Sequence, residues 1–100
     1  MKELDEKLIE AVKNNKPNEV KFYLMCGADV NVKDNHGHTA LMYASRFNNI
    51  EIVKLLLEKG ADVNVKNDYG DTALILASYY NHIEVVKLLK QHGVKEYENT

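Results

Sequence analysis

The chain has 100 residues, 45% of them apolar and 28% charged, which is the profile of one small globular domain. Leu, Ile, Val and Phe together number 28, too many for an intrinsically disordered chain. A net charge of -2 supplies no basic field to draw nucleic acid or an acidic membrane surface, so neither is an expected partner.

In chain order, the first segment reads as two helices. Lys2, Glu3, Asp5, Glu6, Lys7, Glu10 and Lys13 crowd the first, which is predicted to stop at Asn15, a residue that tolerates left-handed backbone. The second opens near Glu19, where an acid suits the positive end of the helix dipole, and closes at Gly27. Phe22 and Tyr23 on it are expected in the core. The stretch ADVNVKDNHGH, rich in Asp, Asn and Gly, then reads as an extended arm with a tight turn. Thr39 stands where its oxygen can cap the helix that begins ALMYAS, and Asn48 is the predicted stop. A further helix opens at Glu51, carries the apolar stripe Ile52, Val53, Leu55 and Leu56, and ends at Gly60 with Lys59 in its last turn. The pattern then repeats: the arm ADVNVKNDYGD, a Thr72 cap, ALILAS, Asn81, Glu84, the stripe Val85, Val86, Leu88 and Leu89, and His92 before Gly93.

Residues 27–59 and 60–92 share 20 identities over 33 positions with no gap. Ala11, Asn15, Val20, Lys21, Leu24 and Gly27 fall one such period before Ala44, Asn48, Val53, Lys54, Leu57 and Gly60, so the register extends backward. The expected organisation is a single domain: an N-terminal capping unit 1–26, a full repeat 27–59, a full or C-terminal capping repeat 60–92, and a polar tail 93–100.

This period, G-x-T-A-L at 37–41 and 70–74, IVKLLLEKGADVN at 52–64 and VVKLL at 85–89 resemble the ankyrin-repeat family over residues 4–93. The resemblance implies an all-α solenoid of helix-turn-helix units joined by β-turn arms. Two departures bear on the polar network between repeats and not on the fold. The family's T-P-L-H reads TALM and TALI, with Ala40 and Ala73 for Pro and Met42 and Ile75 for His. Its Gly between helices is Asn48 and Asn81.

In proteins of this kind the turn tips and first helices form a concave face that grips partners. Positions there that differ between the two full units are not held by folding alone: Asn35 and Asp68, His36 and Tyr69, His38 and Asp71, Arg46 and Tyr79, Phe47 and Tyr80. Lys33 and Lys66 border the same face. Four of the chain's eight aromatics fall on these positions, and aromatics with Arg dominate interface hot spots. A short groove lined by Arg46, Phe47, Tyr79 and Tyr80 and rimmed by His36, His38, Tyr69 and Asp71 is therefore expected, and Tyr43 is expected in the core. So short a face suits an interface below roughly 800 Å² per partner.

Little points to chemistry. His36 and His38 lie two apart on a turn with Asp34 near, but His82 and His92 are expected on another side of their unit, and no metal-ligand spacing is present. The glycines are single, so no phosphate loop forms. Ser45 and Ser78 occupy small-residue packing positions. Cys26 reads as an ordinary, partly exposed thiol at a helix C-terminus, and one cysteine cannot form an intramolecular disulfide. No catalytic residue, metal or cofactor is expected. The opening MKELDEKLIEAVK has no apolar stretch of signal-peptide type, and no apolar run approaches the roughly 18 residues of a membrane helix, so a cytoplasmic setting is expected. The expected function is a non-enzymatic module binding a protein partner through the concave face. The alternative is self-association through the last repeat, whose Leu76, Ile83 and Val86 keep internal character unless the tail covers them. A monomer is the expected state and a homodimer the alternative.

Overall fold

The computed structural model describes residues 1–93. Six α-helices run through them: α1 (Glu3–Lys13), α2 (Pro17–Met25), α3 (Ala40–Arg46), α4 (Ile50–Glu58), α5 (Ala73–Tyr79) and α6 (Ile83–Gln91). Among the described residues no β-strand forms, and an isolated antiparallel bridge joins Lys33 to Thr39.

The helix ends follow the predicted side chains. Thr39 Oγ1 accepts from the Met42 N–H, and Thr72 Oγ1 from the Ile75 N–H, each at 3.2 Å. Asn15, Asn48 and Asn81 are left-handed, with φ of 53°, 59° and 59°. At Asn48 the chain closes α3 by donating from the Asn49 N–H to the Ala44 carbonyl (2.9 Å) and from Asn48 to Ser45. The same bonds recur at Gly27 and Gly60, so asparagine does between the helices of a pair what glycine does between units. The outer helices α2, α4 and α6 have no side-chain cap and instead carry Glu19, Glu51 and Glu84 in their first turns.

Helices α1, α3 and α5 pack side by side, α2, α4 and α6 form a second layer, and each inner helix lies against the outer helix that follows it. The molecule is elongated along this stack, 41 × 25 × 21 Å. One core runs its length between the layers, with Leu8, Val20, Leu41, Ile52, Leu56 and Leu89 fully buried.

What covers a side chain is the next unit along. Met42 is 1% exposed and Ser45 is buried, whereas their equivalents Ile75 (46%) and Ser78 lie open at the end of the described stack. Packing therefore explains Ser45 and does not explain Ser78. Leu55, Val86 and Leu88 are only partly buried, Ile83 is exposed, and the expectation that the tail covers this strip falls on 94–100, outside the described residues. A further correction concerns Phe22, which is 58% exposed and not core: it lies on the outer side of α2, while its neighbour Tyr23 packs on the core. No helix among the described residues is long and apolar enough to cross a membrane.

Candidate functional site

The arm before α3 is a tight hairpin. Asp34 N–H donates to the His38 carbonyl (2.9 Å) and Gly37 N–H to the Asp34 carbonyl (3.0 Å), with Gly37 at φ 78°. Asp34 Oδ1 accepts from the backbone N–H groups of His36 and His38, which ties the turn to its own side chain. The next arm repeats the device with Asn67, whose Oδ1 accepts from Tyr69 and Asp71 at 2.9 Å. The two arms are bonded to each other by Asp68 N–H to the His36 carbonyl (3.0 Å) and by Asn67 Nδ2 to His38 Nε2 (3.3 Å). Further along the stack Asp29 N–H donates to Asp5 Oδ1 and Asp62 N–H to Asn31 Oδ1, both at 2.8 Å. Polar ties between units therefore exist without the consensus histidine of TALM and TALI.

Tyr43 stands behind the first arm. Its ring stacks on His38 (5.2 Å between centroids) and its hydroxyl donates to Asp34. Burial raises the Asp34 pKa, but the bonds from Tyr43, His38 and His36 and the field of His38 outweigh it and hold the carboxyl below its usual value. Burial, the bond to Asp34 and that residue's charge, offset in part by Arg46, push the Tyr43 phenol up to about 12. Tyr43 is thus partly core, as expected, and also part of the arm's support.

Between the second arm and α5 lies an open groove of about 510 Å³. His38, Arg46, Tyr69, Asp71, Tyr79 and Tyr80 line it, six of the twelve residues singled out from the sequence. Tyr79 is 77% exposed and meets Tyr80 edge to face at 4.9 Å. The Arg46 guanidinium lies 5.4 Å from the Phe47 ring centroid and 5.8 Å from that of Tyr80.

The other six lie outside the groove. Phe47 is exposed beside Arg46 but does not line it; Lys33, Asn35, His36, Lys66 and Asp68 sit on the arms, all exposed. Sequence reasoning missed Asn67, Ile75 and Leu76 in the lining. Asn67 had a signal, since it is the equivalent of the turn-forming Asp34 one repeat later; Ile75 had none, because its equivalent Met42 is buried, and the equivalent of Leu76 is Tyr43, which packs against its own arm. His82 stacks on Tyr80 (5.9 Å between centroids) and its Nε2 donates to the Arg46 carbonyl (2.9 Å), beside two of the groove's residues. Among the described residues no group of three or more His, Cys, Asp or Glu could hold a metal ion, and Cys26 is exposed. The arrangement offers aromatic faces, one guanidinium and one carboxylate to a flat or extended ligand.

A protein-family model for ankyrin repeats in three copies matches residues 8–99. Among curated proteins none matches the chain.

Proposed function

The chain belongs to the ankyrin-repeat family, and from that premise we propose that it is a non-enzymatic protein-interaction module whose partner lies across the arms and inner helices. In this reading the units 27–59 and 60–92 form a short solenoid, the charged unit 1–26 caps it, and it works in the cytoplasm. The observation that carries the reading is the convergence of Arg46, Tyr79 and Tyr80 with His38, Tyr69 and Asp71 on one groove contributed by two neighbouring repeats. Aromatic side chains bury large area at little entropic cost and the planar guanidinium of Arg adds directed hydrogen bonds, which is why both anchor interfaces. Family membership alone does not choose the partner.

The test is affinity capture from a lysate with the wild-type chain and with a variant carrying Arg46→Ala, Phe47→Ser, Tyr79→Ser and Tyr80→Ser. All four side chains are exposed, so the variant is expected to fold, with circular dichroism as the check. A protein held by wild type and lost with the folded variant supports the reading. Equal capture by both moves the binding face elsewhere. A second reading, pairing of copies through the last repeat, has the exposed Ile75 and Ile83 in its favour; a mass that rises with concentration would support it.

A further inference from the structure

Arg46 belongs to a row. Its equivalent one repeat earlier is Lys13, at the end of α1, and its equivalent one repeat later is Tyr79, at the end of α5. Since α1 packs on α3 and α3 on α5, the three side chains step across the inner helices one helix at a time, and all three are exposed.

The two cations are supported without being neutralised. The Lys13 ammonium lies 5.0 Å from the centroid of the Tyr43 ring, and Arg46 is held by the rings of Phe47 and Tyr80. A ring face orients a cation and leaves its charge available. Among the described residues no carboxylate forms an ion pair with either: Glu3 pairs with Lys7, and Asp34 faces His38. The carboxylate of the groove, Asp71, belongs to the arm side, so the helix side is where negative charge is welcome.

Spacing then sets the shape of the ligand. Packed helices lie about 8–10 Å apart, and a chain extended as polyproline II advances about 3.1 Å per residue with three residues per turn, so side chains three residues apart share one face and cover one helix step. We propose that this row takes an extended protein segment with carboxylates three residues apart, opposite Lys13 and Arg46, and a large apolar side chain three residues further on, against Tyr79 and Tyr80. This rests on the interaction reading above and narrows its partner to an acidic, extended segment read across all three units. The chain's own net charge is -2, so recognition is local and owes nothing to a general positive field.

The experiment is selection of displayed random twelve-residue peptides on three proteins: wild type, Lys13→Glu/Arg46→Glu, and Tyr79→Ser/Tyr80→Ser. Wild type is expected to enrich peptides with acids at i and i+3 and an apolar or aromatic residue at i+6. Synthetic versions should bind the charge-reversed protein roughly tenfold more weakly or not at all, and weaken with added salt. If reversal lowers the melting temperature, Lys13→Gln/Arg46→Gln makes the same comparison. Enriched peptides without excess acid that still need Tyr79 and Tyr80 would overturn this proposal and leave the groove reading standing. Peptides that bind all three proteins equally, or no enrichment at all, would overturn both.

Discussion

The side-chain amide of Asn67 lies 3.3 Å from Nε2 of His38, so one arm is hydrogen-bonded to the next. Asn67 cannot turn its oxygen there, because Oδ1 already accepts from Tyr69 and Asp71. The amide therefore points its N–H groups at the ring, whose Nδ1 makes no hydrogen bond and lies 3.8 Å from Asp34 Oδ1. Asn67→Ala removes the tie between arms and leaves two turn N–H groups without their acceptor. The expected cost is about 2–3 kcal/mol in urea unfolding. Asn67→Asp keeps the turn acceptor, as Asp34 does one repeat earlier, and should cost less. Equal stability of the alanine variant and wild type would refute the tie.

Gly37 and Gly70 occupy equivalent turns with φ of 78° and 82°, yet only Gly37 has a neighbour. A Cβ on Gly37 would meet Asp68 Oδ1 at 2.7 Å and the Asp68 backbone nitrogen at 3.0 Å, while a Cβ on Gly70 would meet nothing within 4 Å. Gly70→Ala is expected to cost about 1 kcal/mol, the left-handed penalty alone. Gly37→Ala should cost more, because the next arm must also shift. Matching melting temperatures for the two variants would mean that the arms do not pack as described.

The same comparison applies to the core. Met42→Ala opens a buried site and is expected to cost about 2–5 kcal/mol. Ile75→Ala, at the equivalent but exposed position, should cost under about 1 kcal/mol. If Ile75→Ala is as costly as Met42→Ala, something covers the last repeat in solution.

Stability should fall at both ends of the pH range through one pair of residues. Asp34 has a depressed pKa when folded, so its contribution is present above the usual carboxylate value, about 3.9, and is lost as pH falls through the lower folded one. Tyr43 is raised to about 12, so its contribution is present below the ordinary phenol value of about 10 and is lost as pH climbs from there through 12. Tyr43→Phe removes the alkaline component outright and weakens the acid one by taking a donor from Asp34. Urea midpoints measured from about pH 3 to about pH 11.5 should therefore vary less in the variant on both limbs. An unchanged alkaline limb would show that the phenol–carboxylate bond is not made.

Much of this was legible because the chain compares itself with itself. Thr39 and Thr72 as caps, three asparagines at left-handed stops and a buried Leu56 follow from residues at one period, and each has a local cause. The errors lie where a neighbour decides. Phe22 aligns with Leu55, which is itself only partly buried, and it lies on the outer side of α2 with its ring largely exposed. Ser78 and Ile75 copy buried residues of the previous unit but have nothing after them among the described residues. At the groove, divergence between repeats marked Arg46, Tyr79 and Tyr80, whereas Ile75 and Leu76 became lining only through their place in the stack.

Whether a protein partner sits on the inner-helix face can be read by site-specific photocrosslinking. A photoreactive aromatic residue is placed at position 79, on that face, or at position 54, where Lys54 is exposed on the outer helix α4. A partner on the inner-helix face gives a covalent adduct of one defined mass from position 79 and none of that mass from position 54. Adducts from position 54 alone, or equally from both, would place the partner off this face and refute the proposed function.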